Sequence, residues 1–75
     1  MGEIMNSASE RMLAHFVYDY LPAHLQDISC PIAELAKVMA EKLDSNDPVV
    51  GAEVTTGLRK LLEAKDCFVR ARVNM

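Results

Sequence analysis

The sequence has few aromatic residues, no tryptophan and only two cysteines among its 75 residues. It lacks the sequence signatures of common enzymes, among them the phosphate-binding loop, the nucleophile elbow and the histidine–glutamate zinc motif. Its histidines, His15 and His24, are too far apart in sequence to form a local metal site. We therefore expect a protein that is not an enzyme and that uses no metal or cofactor.

Long apolar runs are also missing from the sequence. None approaches the roughly 20 residues that a membrane-spanning helix needs, and the first residues lack the basic start and apolar core of a signal peptide. The cysteines, Cys30 and Cys67, have no metal-ligand spacing, and we expect both to be buried, reduced thiols. The sequence therefore predicts a cytoplasmic protein without a membrane segment.

Charge is distributed unevenly along the chain, whose formal net charge is −3. Residues 57–75 carry five cationic and two anionic side chains, whereas residues 1–56 carry three cationic and nine anionic side chains. A protein that binds duplex nucleic acid is basic overall, so this distribution argues against that class. A basic C-terminal helix on an acidic body is compatible with a local anion site, or with charged faces that meet only solvent.

The hydrophobic periodicity predicts a single all-α domain over residues 1–75, an antiparallel helical hairpin preceded by a short helix and an extended arm. The predicted segments are 1–21 for the N-terminal helix and arm, 22–44 for the first hairpin helix and 48–72 for the second. So short a chain buries little of its surface, and 51% of its residues are apolar. We therefore predict a homo-oligomer, held together by aliphatic helix faces.

The clearest pattern is an apolar stripe on the first hairpin helix, at steps of three and four residues. Its members are Leu25, Ile28, Ile32, Leu35, Met39 and Leu43. Two starts are open for this helix: it begins at Pro22 with a bend at Pro31, or afresh at Cys30. Asp47 followed by Pro48 is suited to cap and begin the long helix.

The long helix carries a second apolar side, on which a cation and two glycines need explanation. The apolar members are Leu58, Leu61, Leu62, Phe68 and Val69. Lys65 lies within this side, so its ammonium either reaches solvent or meets an anion. Gly51 and Gly57 each destabilise a helix by about 1 kcal/mol relative to alanine. Either the regular helix begins near Val54, or the glycines permit a close approach.

The polar side of the long helix favours anion binding. It contains two opposite-charge pairs at a spacing of four residues, Arg59 with Glu63 and Asp66 with Arg70. Thr56 lies early in the helix, where hydroxyl groups, amides and the helix dipole favour phosphate. The adjacent cations that follow are Arg59 and Lys60. Arg70 either closes a site from an adjacent subunit or interacts with the C-terminal end of the helix dipole.

Three of the four aromatic residues alternate along the predicted arm, at Phe16, Tyr18 and Tyr20, before Pro22. A lone extended segment cannot stabilise itself, so we expect the arm to lie over a neighbouring helix or subunit. The rings either fill the core or form a platform for a base or a partner.

Two blocks of the sequence resemble many small bacteriophage proteins. The first spans residues 57–71, GLRKLLEAKDCFVRA. The second spans residues 16–22, FVYDYLP, and continues as HL at 24–25 and SCPI at 29–32. Their organisation is similar to that of the helical-hairpin sponge proteins with which phages counter cyclic-nucleotide immunity, the anti-CBASS and Thoeris anti-defence family.

This resemblance implies a non-catalytic homo-oligomer in the host bacterial cytoplasm that sequesters a cyclic or ADP-ribose-type nucleotide between subunits. The residues it assigns to the ligand are Tyr18 and Tyr20 for the bases, and Thr56, Arg59, Lys60 and Lys65 for the phosphates, with Arg70 completing the predicted site. The alternative is a homo-oligomeric helical protein-interaction module that inhibits or adapts a host or phage protein. Neither reading involves duplex nucleic acid or a membrane.

Overall fold

The computed structural model describes residues 7–16 and 21–75 of the chain. It contains three helices, α1 (Ser7–Ala14), α2 (Ala23–Lys42) and α3 (Pro48–Val73). No strand occurs within these two described ranges, and the prediction of an all-α protein is confirmed. None of the three helices combines the length and the apolar character that a membrane crossing requires.

α2 begins directly after Pro22 and continues as one helix through Pro31. The carbonyl of Pro22 accepts hydrogen bonds from the backbone N–H groups of Leu25 and Gln26, both at 2.9 Å. These two bonds close the first turn without a side-chain cap. Of the two starts that the sequence leaves open, the structure has the earlier one, and a separate start at Cys30 does not occur.

α3 begins as the sequence predicts, with Asp47 as its cap and Pro48 in its first turn. The Oδ1 atom of Asp47 accepts a hydrogen bond from the backbone N–H of Val49 at 2.9 Å. The backbone carbonyl of Asp47 accepts another from the N–H of Gly51, also at 2.9 Å. The alternative start near Val54 is wrong, because this capped turn already includes Gly51 in the helix.

The free ends of the two long helices meet at Arg72. Its Nη1 atom donates a hydrogen bond to the backbone carbonyl of His24 at 3.2 Å and lies 3.7 Å from Oδ2 of Asp27. Arg72, near the end of α3, thus brings the two helices into contact at the start of α2. α1 packs against both of them.

The core of the described chain lies where α1 meets the two long helices. Its buried apolar residues are Phe16, Ala36, Ala40 and Leu58. Phe16, which follows α1, is only 3% exposed, so this ring of the predicted arm fills the core. Met12 and Leu13 of α1 pack against the same cluster.

The apolar stripe predicted on α2 supplies none of the fully buried residues of this core. α2 buries the small residues Ser29, Ala36 and Ala40, whereas Leu35 and Leu43 are 47% and 49% exposed. The distance between two packed helices depends on the size of the side chains on the contact line, and small residues there permit a close approach. Ile32 of the stripe packs against the core, whereas Leu35 and Leu43 lie beside the contact line.

Candidate functional site

Most of the predicted ligand residues lie on one side of α3. Arg59, Lys60 and Arg70 are exposed, and Thr56 is half-buried. Their spacing places them along one polar stripe, together with two exposed carboxylates. We call this surface the charged side of α3, and its members are Thr56, Arg59, Lys60, Glu63, Asp66 and Arg70.

The ion pairs of the described residues differ from those that helical spacing predicts. Oδ1 of Asp66 lies 3.3 Å from Nζ of its sequence neighbour Lys65. Nη2 of Arg70 donates instead to Sγ of Cys67 at 3.3 Å. The predicted pair between Asp66 and Arg70 is therefore not formed. Arg70 has the thiol of Cys67 as its partner instead, and its side chain stays exposed.

Arg59 and Glu63 also form no ion pair within the part of the chain that the structure describes. Both side chains are exposed, so water competes effectively for each charge and an isolated surface pair is worth little. Arg59 and its neighbour Lys60 consequently present two cationic groups that no described carboxylate neutralises.

Lys65 lies on the inner side of α3 and not with the other predicted ligand residues. It is 6% exposed and shares this inner side with the buried Leu58. Its ammonium meets the carboxylate of Asp66, whose side chain is half-exposed. The sequence left open whether this ammonium reaches solvent or meets an anion. The structure shows that it meets an anion, and that the anion is a side chain of the same protein.

The remaining predicted ligand residues, Tyr18 and Tyr20, lie outside the described residues, as does most of the predicted extended arm. Their assignment to bases therefore stays a prediction. The two thiols are described: Cys30 is half-buried, and Cys67 is exposed. The expectation that both are buried is wrong, because Cys67 lies at the border of the charged side of α3.

Sequence reasoning missed two polar groups between the long helices. Nε of Arg72 and Oγ of Ser29 are buried and have no hydrogen-bond partner among the described residues. The contact between Arg72 and His24 joins residues 48 positions apart in sequence, and helical periodicity carries no signal for such a pair. Ser29 resembles a helix-capping residue in sequence, but it lies within α2 and is fully buried.

Two apolar grooves run between α2 and α3, and the α1 residues whose side chains are described line neither of them. The loop-end groove, of about 530 Å³, is lined by Leu35, Met39 and Leu43 of α2 and by Val54, Gly57 and Leu61 of α3. The far-end groove, of about 400 Å³, is lined by Ile28, Ile32, Phe68 and Ala71, with the Asp27–Arg72 ion pair at its edge. The α2 stripe thus lines both grooves.

None of the predicted ligand residues that the structure describes lines either groove. The charged side of α3 is a convex helix surface in one chain, whereas the grooves are concave and apolar. The residues that the structure describes also contain no group of three or more side chains suited to hold a metal ion. The described chain therefore combines an exposed row of cations with a separate apolar surface.

These features define a small all-helical protein with one covered and one open side. Comparisons of the chain with protein-family models, with curated proteins and with solved structures found no match. The resemblance to phage anti-defence proteins therefore stays a prediction made from the sequence.

Proposed function

We propose that this chain is a non-catalytic phage counter-defence protein that captures a cyclic or ADP-ribose-type nucleotide as a homo-oligomer in the host cytoplasm. The observation that carries the proposal is the pair of exposed cations, Arg59 and Lys60, without a carboxylate partner among the described residues. Half-buried Thr56 precedes them on the same helix. Guanidinium, ammonium and hydroxyl groups are suited to bind phosphate oxygens.

The roles of these groups follow from their chemistry. Arg59 presents a planar fork that can hold two phosphate oxygens at once, and Lys60 supplies a compact charge on a flexible stem. Thr56 can donate its hydroxyl proton to a third oxygen. Lys65 is left out of the proposed site, because it is buried and its ammonium is already paired with Asp66.

A second subunit is part of the proposal. A tight site buries most of a small ligand, and the convex charged side of one α3 offers no opposite wall. In a homo-oligomer built from antiparallel helical hairpins, a neighbouring chain supplies that wall, together with its Arg70 and its aromatic arm. The open apolar grooves support this association, because they leave large hydrophobic side chains such as Leu35 and Leu43 in water.

The test is a thermal unfolding experiment on the purified protein with a panel of cyclic dinucleotides, cyclic trinucleotides and cyclic ADP-ribose isomers. A ligand present at 100 times its Kd stabilises the folded state by about 2.7 kcal/mol, so one panel member is expected to raise Tm. Arg59→Ala is expected to remove that rise. The matched control is Lys37→Ala, which removes an exposed cation from α2 and is expected to keep it.

Two results would count against nucleotide capture. One is an unchanged Tm with every member of the panel. The other is recovery of the ligand as a cleaved product after incubation, because capture leaves its bonds intact.

The grooves favour a second candidate function, a homo-oligomeric module that inhibits or adapts a host or phage protein. Exposed apolar surface between two helices is typical of a helix-docking site. This candidate predicts that a defined protein partner binds the wild-type chain and not a Leu43→Glu variant, while no nucleotide changes Tm. Partner binding that is equal for both chains would contradict it.

A further inference from the structure

α3 carries a second periodic pattern on the side that faces the grooves. Apolar residues recur there at alternating steps of four and three, the period of a helix that packs lengthwise against another helix. We call this row the α3 seam, and its members are Val50, Val54, Gly57, Leu61, Ala64, Phe68 and Ala71. The fully buried residues of α3, Leu58 and Lys65, lie beside this row, whereas Val54 and Leu61 of the row are half-buried against the core.

From Val54 onward, large and small residues alternate along the α3 seam. The large set repeats every seven residues and consists of Val54, Leu61 and Phe68. The small set repeats at the same interval between them and consists of Gly57, Ala64 and Ala71. When two such helices lie antiparallel, the large set of one faces the small set of the other, because reversal of direction exchanges the two sets.

Two residues of the α3 seam have no explanation within one chain. A Cβ atom at Gly57 would meet no atom of the described residues within 4 Å beyond its own helix backbone, so no close approach among them requires a glycine there. Glycine also destabilises the interior of a helix relative to alanine. Phe68, the largest member of the seam, is 57% exposed. The same row thus contains one aromatic ring without cover and one position without a side chain.

We propose that a second copy of the chain packs antiparallel on the α3 seam, with Phe68 of each copy over Gly57 of the partner subunit. In this register Leu61 faces Ala64 of the partner subunit, and Val54 faces Ala71 of the partner subunit. Gly57 lines the loop-end groove, so the ring of Phe68 enters that groove beside Leu35 and Leu43. The inference rests on the self-association of the proposed function and adds the surface, direction and register of one contact. This contact lies on the side of α3 away from the charged side, so it does not itself supply the wall of the ligand site.

A second copy fits this surface better than an unrelated helix does. One register aligns all three large–small pairs at once, and in it the two helices overlap over residues 52–73 of each copy. A two-fold axis then repeats every contact, as expected for an isologous dimer. An unrelated partner would need only one of the two sets on this chain. The α3 seam also contains no charged residue, so two copies meet there without repulsion.

A size-exchange experiment tests the pairing. Gly57→Leu fills the position over which the ring lies and is expected to raise the dimer dissociation constant roughly 10-fold or more. Phe68→Ala removes the ring and is expected to weaken the dimer in the same way. The double variant Gly57→Leu/Phe68→Ala restores one large and one small partner, and we expect it to regain most of the lost affinity.

The measurement is analytical ultracentrifugation over a concentration series, with circular dichroism to verify that each variant is helical. The Gly57→Leu variant is expected to stay folded for two reasons. The structure has space for the added side chain, and leucine has a higher helix propensity than glycine. The matched control is Ala52→Leu, which adds the same side chain at an exposed position outside the seam and is expected to leave the dissociation constant unchanged.

The outcomes separate this inference from the proposed function. A wild-type chain that stays monomeric at every concentration would overturn both. An oligomer that neither single variant weakens would overturn only the α3 contact. Two weakened single variants without recovery in the double variant would overturn the antiparallel register. A foreign protein that occupies the seam in place of a second copy would also overturn the inference, whatever the nucleotide panel shows.

Discussion

The two sides of the α2–α3 pair differ in what covers them. On one side, α1 and Phe16 pack on the helices, and the apolar residues there are buried. On the other side, Leu35, Leu43 and Phe68 remain about half-exposed along two grooves. The difference reflects the lengths of the helices. α1 has 8 residues and α3 has 26, so α1 covers only one side of the α2–α3 pair. We expect the covered side to determine folding and the open side to determine association.

The largest expected effect is at Leu58 on the covered side. Leu58→Ala is expected to lower the free energy of unfolding by about 2–5 kcal/mol, because it leaves a cavity beside Phe16 and Ala36. Urea denaturation monitored by circular dichroism measures the change. Leu43→Ala on the open side is the control, and an equal loss in both variants would remove the distinction between the two sides.

A smaller effect is expected at Lys65, the one buried cation among the described residues. Lys65→Met keeps the length of the side chain and removes a charge that is costly to bury, so the free energy of unfolding is expected to rise by about 1 kcal/mol. Asp66 stays hydrated because its side chain is half-exposed. The control Lys60→Met, on the exposed side, is expected to change stability by less than about 0.5 kcal/mol.

The same variant sharpens the placement of the ligand site. If Lys65 only packs between the helices, Lys65→Met keeps any rise in Tm that a nucleotide produces. If the rise disappears while the folded oligomer persists, the ligand site includes the inner side of α3, and the role assigned to the charged side is incomplete.

The smallest effect on folding is expected at Leu35, on the open side. Leu35→Gln is expected to change the free energy of unfolding of the dilute monomer by less than about 0.5 kcal/mol, because the side chain is already 47% exposed. Its effect is expected in association, measured as weaker oligomer formation at high protein concentration. Strong destabilisation of the monomer instead would mean that Leu35 belongs to the folding core.

The apolar periodicity of α2 shows how far sequence reasoning reaches. It predicts correctly that this segment is an amphipathic helix, because spacing reports which side chains share a side. It does not report which neighbour covers that side. The neighbours α1 and α3 take the row of Ser29, Ala36 and Ala40, and the stripe with Leu35 and Leu43 is left at the grooves.

The candidate site divides in the same way. Arg59, Lys60 and Arg70 could be predicted as exposed, because they lie opposite the apolar side of a strongly patterned helix. The ion-pair partner of Lys65 could not be predicted. Helical spacing favours a pair between Asp66 and Arg70, whereas the structure pairs Asp66 with Lys65. Burial of the ammonium changes which pair forms, because a buried charge gains more from a carboxylate than an exposed one does.

The sequence by itself determined the three helices, the Asp47 cap and the exposure of the charged side of α3. These features depend on hydrogen bonds and side-chain spacings between residues a few positions apart, so local pattern contains them. Only the tertiary structure decided that Arg72 joins His24 across 48 positions, that Lys65 is buried and that Phe68 stays exposed. Each of these depends on which faces of separate helices meet, and that choice is made by the packing of the whole chain.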